Sequence, residues 1–153
     1  MIKVMIADDQ ELLRESLKIL LSSQDDIEIA GLAADGEEVL NLIPSCRPDV
    51  ILMDVRMPQM NGVQCTKEVK ERYPDIQVIV LTTFDDDDYI YDALKYGASS
   101  YLLKGVSLDE LHQAIVTVVS GGGVIHPEIA IKAMRMFSDM AKNQVESETA
   151  ADE

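Results

Sequence analysis

Apolar residues along this chain alternate between two textures. Five short runs are nearly continuous and rich in β-branched residues: Ile2–Ala7, Ile27–Ala33, Val50–Asp54, 76–81 (IQVIVL) and 99–103 (SSYLL). Unbroken apolar character over strand length marks strands covered on both faces, as in parallel sheets. Between these runs the apolar positions recur at helical period. Leu12, Leu13, Leu17, Leu20 and Leu21 make one stripe, Val39, Leu40 and Ile43 a second, and 63–69, 89–94 and 108–119 three more. Turn signals separate the units at Asp35-Gly36, between Pro44 and Pro48, at Asn61-Gly62, at Tyr73-Pro74 and from Lys95 to Gly97. Asp85 is placed to cap the run at 89–94, and Ser107 with Glu110 fits a capping box. Five strand–helix alternations predict an α/β fold, a doubly wound five-stranded parallel sheet with right-handed crossovers. With the first strand beside the third, the expected order is 2-1-3-4-5.

The texture changes after Gly121-Gly122-Gly123. Pro127 opens a further helical stretch that places Ile129, Ala130, Ala133, Met134, Phe137 and Met140 roughly on one side. The sheet does not need this helix for closure, so it reads as a linker or docking element. The expected division is a sheet domain over 1–122, a linker helix over 123–142 and an acidic, disordered tail over 143–153.

Bulk properties narrow the function classes. The chain has 153 residues, 47% hydrophobic and 27% charged, enough for one domain with a proper core. No apolar run approaches a membrane span, and the MIKVMIADD start lacks a signal-peptide layout, which points to the cytoplasm. Thirteen basic against 28 acidic residues give a formal charge of −15, concentrated in the DDDD run at 85–88 and the ESETAADE tail. Such a surface repels phosphate backbones, so DNA binding by this chain itself is not expected. Cys46 and Cys65 read as buried or half-buried thiols, and His112 and His126 have no partners at ligand spacing.

The candidate chemistry lies at the strand ends. Asp8 and Asp9 follow IKVMIA, Asp54 closes VILMD, Thr82 follows IQVIVL and Lys104 follows SSYLL. In an open α/β sheet, ligands collect in the crevice outside the carboxyl ends of the strands. Taken singly, Asp8-Asp9 is a polar loop with Asp9 as a helix cap, Thr82 a strand residue and Lys104 a solvated lysine. Together they describe a pocket for a divalent cation and a phosphoryl group. Crowded carboxylates stay ionised only with a cation among them, and Mg²⁺ suits oxygen ligands with room for water. Asp54 is the nucleophile candidate, since a carboxylate can accept a phosphoryl group.

Four ordered motifs make the likeness specific: Ala7-Asp8-Asp9, Asp54-Val55-Arg56-Met57-Pro58 with Gly62, Leu81-Thr82-Thr83, and Tyr101-Leu102-Leu103-Lys104. Over Met1 to about Gly123 the chain resembles the receiver domain of bacterial two-component response regulators, with a flavodoxin-like fold. Gly105 after the lysine, where many receivers carry proline, and the Leu-Thr-Thr-Phe run ending at Phe84 resemble the NarL/LuxR-type subfamily. The resemblance implies Asp54 as phosphoacceptor. It implies Asp8, Asp9, Asp54 and the backbone carbonyl of Arg56 as Mg²⁺ ligands, Thr82 and Lys104 as the phosphoryl-sensing pair, and Tyr101 as an aromatic switch. It further implies a sensor histidine kinase as partner, a phosphorylation-dependent homodimer, no enzyme activity of its own, and DNA contact only through a helix-turn-helix domain. The chain stops before such a domain, so a receiver fragment is expected rather than a stand-alone receiver acting by protein contact. Two other classes fit less well. A haloacid-dehalogenase-like phosphatase would place Asp-x-Asp after the first strand, and a flavodoxin-like redox module would need a Ser/Thr/Gly-rich loop where Asp8-Asp9-Gln10 stands.

Overall fold

The computed structural model of the chain describes residues 1–83, 89–125 and 127–151. Strands β1 (Ile2–Ala7), β2 (Ile27–Ala33), β3 (Val50–Asp54), β4 (Gln77–Thr82), β5 (Ser100–Leu103) and β6 (Val124–Ile125) form one sheet in the order β2-β1-β3-β4-β5-β6. All its pairings are parallel. Helices α1 (Glu11–Ser22), α2 (Gly36–Cys46), α3 (Gly62–Arg72), α4 (Ile90–Lys95), α5 (Leu108–Val119) and α6 (Pro127–Ala151) follow the strands in alternation. The five-stranded parallel α/β core in 2-1-3-4-5 order matches the expectation. What the pattern did not anticipate is β6, two residues long, which extends the sheet beyond β5 and past the expected boundary at 122. The aspartates at 85–88, including the expected cap Asp85, lie outside the described residues, as do Phe84 and His126.

Strand alternation divides the interior into two layers. Met5, Ala7, Ile51, Met53, Val78, Val80, Tyr101 and Leu103 face α2, α3, α4 and α6. Val4, Ile6, Val50, Leu52, Ile79, Leu81 and Leu102 face α1 and α5. Every β3 residue is buried, which is why that run reads as continuously apolar. Each fully buried Ile or Leu side chain contributes roughly 1.5–3 kcal/mol. The α1 stripe is only partly right. Leu21 is fully buried, but Leu12 is 82% exposed and Leu20 is also exposed. Leucines occupy so much of this helix's circumference that sequence period alone cannot choose the inward side.

Caps fix the helix ends. Asp35 accepts the Glu38 N–H at 2.9 Å, Asn61 and Gln64 form a reciprocal capping box, and Ser107 accepts the Glu110 N–H at 3.1 Å. At the end of α5, Gly121 N–H reaches Val118 O and Gly122 N–H reaches Thr117 O, a Schellman arrangement. Gly121 takes φ +97°, the left-handed conformation that glycine adopts without penalty. The chain thereby reverses and lays β6 beside β5. His112 sits 2.9 Å from both Asp26 carboxylate oxygens and ties α5 to the lead-in of β2. Cys65 is buried, which pushes its thiol to about 12, and Cys46 is half-buried. Among the described residues no helix is long and apolar enough to cross a membrane.

Candidate functional site

Register places the site. Ala7 pairs with Met53, Asp54 with Leu81, and Thr82 with Leu103, so the carboxyl ends of β1, β3, β4 and β5 finish nearly flush. The next polar residues therefore share one rim. Carboxylate oxygens of Asp8, Asp9 and Asp54 all lie within 4.8 Å of one another. Asp8 and Asp54 are buried, while Asp9 is exposed. Lys104 Nζ stands 3.0 Å from Asp54 Oδ1 and 3.4 Å from Asp8 Oδ2. Thr82 closes β4, one residue later than the expected run. It is buried, its carbonyl accepts the Lys104 N–H at 2.8 Å, and its hydroxyl donates to Thr83 O at 3.2 Å.

Local bonds hold these groups in place. Asp8 Oδ1 accepts the Gln10 N–H at 2.9 Å, and Gln10, not Asp9, is the N-cap of α1. The Arg14 guanidinium donates to the Asp8 carbonyl at 2.7 Å, clamping the start of the loop from one turn along α1. Arg14 was not singled out from sequence. Its only signal is its place one turn into the helix that follows the aspartates. Beyond β3, Arg56 is exposed and Gln59 takes φ +67°. The loop then returns so closely that a Cβ on Gly62 would lie 1.9 Å from the Asp54 carbonyl oxygen. Sequence marked Gly62 as a motif residue, but not as the wall behind Asp54. Tyr101 lies apart from the carboxylates. It is fully buried on β5, in the apolar layer under α4 and α6.

Three carboxylates against one ammonium leave two negative charges uncompensated. Burial first, and then the charge of Asp8, raise the Asp54 pKa to about 6, although the Lys104 bond pulls the other way. Burial lowers the Lys104 pKa, but its bond to Asp54 and the charges of Asp54 and Asp8 outweigh that and hold it above its ordinary value. For Asp54 the linkage has a definite sign. A carboxyl whose folded pKa exceeds its unfolded value stabilises the fold in its protonated form, below about pH 4. That contribution is lost as pH rises through about 6. With a chelator present, Asp54→Asn should therefore be more stable than the parent chain at pH 8 by up to about 3 kcal/mol. The gain should vanish near pH 4. Thermal melts at both pH values read the difference, and equal melting temperatures at pH 8 would refute the assignment of strain to this cluster.

The donor chemistry fits a hard divalent cation. The carboxylate oxygens converge from the carboxyl ends of β1 and β3, one edge is open at Asp9, and the surplus negative charge asks for a counter-ion.

Comparison with known proteins converges on the same region. The family model described as response regulator receiver domain matches residues 4–116. The chain is 39% identical over 149 residues to the transcriptional regulatory protein DegU of Brevibacillus brevis, covering 97% of this chain and 63% of that one. It is 42% identical over 134 residues to the transcriptional regulatory protein LnrK of Bacillus subtilis (strain 168), covering 88% and 61%. The chain thus spans a little under two-thirds of these relatives. Among solved structures, the signal receiver domain of the putative response regulator NarL from Mycobacterium tuberculosis aligns with TM-score 0.73 and 33% identity, over 78% of this chain and 97% of that one. A two-component response regulator of the LuxR family from Aurantimonas sp. SI85-9A1 aligns with TM-score 0.81 and 25% identity, over 89% and 97%.

Proposed function

Because this chain belongs to the response regulator receiver family, of the NarL/LuxR type, we propose that it is a phosphorylation-controlled switch with Asp54 as its acceptor. The observation that carries this reading is the convergence of Asp54 with Asp8, Asp9 and Lys104 on one rim. A sensor histidine kinase, or a small acyl phosphate, serves as donor. An Asp54 carboxylate oxygen bonds to phosphorus as the bond from phosphorus to the donor's nitrogen or oxygen breaks. The leaving group departs with that electron pair, and an aspartyl phosphate remains. In-line transfer of this kind depends on positioning and on neutralising charge at the equatorial oxygens. Asp8, Asp9, Asp54 and the backbone carbonyl of Arg56 would hold Mg²⁺, which would supply part of that positive charge. Lys104, already against Asp54, supplies the rest, and the Thr82 hydroxyl hydrogen-bonds a phosphoryl oxygen.

A switch through Thr82 and Tyr101 fits this arrangement. With the Thr82 hydroxyl bonded to the phosphoryl group, Tyr101 is held in its buried place beneath α4, so that a local charge event is read out by a two-state element. The output is homodimerisation, for which α1 offers exposed Leu12, Ile19 and Leu20, α5 exposed Val119, and α6 exposed Ile131 and Met134. The protein works in the cytoplasm and, like the relatives named transcriptional regulatory proteins, controls transcription. It acts on DNA through an attached helix-turn-helix domain, and not as an enzyme.

Incubation with Mg²⁺ and acetyl phosphate should add one phosphoryl group by intact mass and shift size-exclusion elution toward a dimer. A chelator should prevent both. A chain that stays unmodified with Mg²⁺ present would contradict the reading.

A further inference from the structure

Helix α6 is placed where it can feel the site. Because β6 adds one strand beside β5, with Tyr101 in register with Ile125, α6 starts next to α4 on the same side of the sheet. Ile129 and Ala133 of α6 are 3% and 4% exposed, and they share one apolar cluster with Ile90 and Ala93 of α4 and with Tyr101. Farther along, Phe137 meets Tyr91 edge-on, ring centroids 5.3 Å apart. On its other side α6 exposes Met134 and Ile131. Helix α4 has only six residues, too few to persist without packing, so its position is set by what lies against it. The path back to the acceptor is short. Tyr101 and Leu103 pair with Val80 and Thr82, and the Lys104 N–H bonds the Thr82 carbonyl.

We propose that α6 is a built-in brace. By packing on α4 it stabilises the arrangement with Tyr101 buried and thereby raises the affinity of the Asp54 site for a phosphoryl group. The inference rests on the receiver reading and adds to it the element that senses the switch. Coupling between two sites is reciprocal in binding free energy. Whatever α6 contributes to phosphoryl binding, the phosphoryl group returns to α6 docking.

The test uses the full chain with Mg²⁺ and beryllofluoride as the phosphoryl mimic, read by titration calorimetry and amide hydrogen exchange. Phe137→Ala and Ala133→Glu, neither near Asp54, should weaken beryllofluoride binding about five-fold or more, the usual lower range of a coupling. Phe137→Tyr should restore it. In the parent chain beryllofluoride should slow exchange over 129–140 as well as around 90–95. Should Ala133→Glu fail to fold, Phe137→Ala carries the comparison. Unchanged affinity with α6 amides exposed would make α6 a passive spacer and overturn the brace. Tighter binding would make it an inhibitor and overturn the sign. A parent chain that binds no beryllofluoride and takes no phosphoryl group would defeat the receiver reading itself, and the brace with it.

Discussion

Asp54→Ala should give a folded chain that gains no phosphoryl mass at any concentration of Mg²⁺ or acetyl phosphate. The oxygen that must bond to phosphorus belongs to that side chain, and no neighbour can replace it. Asp8 has one oxygen taken by the Gln10 N–H and the other 3.4 Å from Lys104, and Asp9 lies at the exposed edge. Removing Asp54 also removes one of the repelling carboxylates, so the loss of acceptance should come with no loss of stability at neutral pH. That pairing of outcomes is diagnostic, because a variant inactive through misfolding would lose both. Lys104→Ala should behave differently. It leaves three carboxylates without their ammonium, which raises the Asp54 pKa further above about 6. Acceptance should persist but be slower, most severely below pH 7. A mass increment on Asp54→Ala equal to that of the parent would place the acceptor elsewhere.

Gly62→Ala should be the most damaging single methyl group in the protein. A Cβ there would sit 1.9 Å from the Asp54 carbonyl oxygen, 2.8 Å from its carbonyl carbon and 3.0 Å from Met53 Cγ. Two of those three are backbone, so no rotamer change relieves the clash and the β3–α3 connection must move. The Gly62 N–H bond to Val55 O at 2.8 Å and the adjacent Asn61–Gln64 capping box would move with it. Overpacking of this kind costs about 3 kcal/mol, or a melting temperature lower by roughly 10 °C in a chain of this size. The shift also carries the acceptor. Displacement of a reacting group by about 1 Å can cost about 100-fold in rate, so acetyl phosphate labelling should slow by that order even where the variant is folded. Gly105→Ala is the matched control, since nothing lies within 4 Å of its added Cβ. Equal melting temperatures for the two variants would disprove the packing argument.

Much of this was legible in the sequence because burial leaves a strong imprint. β1, β2 and β3 begin and end where their apolar runs do; in β3, buried throughout, the sole polar residue is Asp54 at the rim, while the exposed Lys3 and Glu28 stand near the opposite ends of β1 and β2. For the same reason Asp8, Asp54 and Lys104 stood out. A charge that abruptly ends an apolar run marks the rim, and parallel strands share one. Other features were decided by tertiary contacts that leave little local trace. Arg14 acts through a backbone carbonyl six residues back, which any side chain could have offered. The exposure of Leu12 depends on the angle at which α1 leans on the sheet. Two residues such as Val124 and Ile125 are too few for a strand signal, and only their pairing with β5 makes them one. The capping role of Ser107, by contrast, was carried in full by its neighbours in sequence.

The shortness of β6 bears on how this protein behaves in crowded solution. A sheet edge is a row of open donors and acceptors onto which another chain can add a strand, and brief edges offer the poorest template for such growth. The four residues of β5 would be that edge if the chain were cut within its glycine run. The pairing of Val124 and Ile125 with Ser100 and Tyr101 covers part of it. Those two residues thus help keep β5 from recruiting other chains into aggregates.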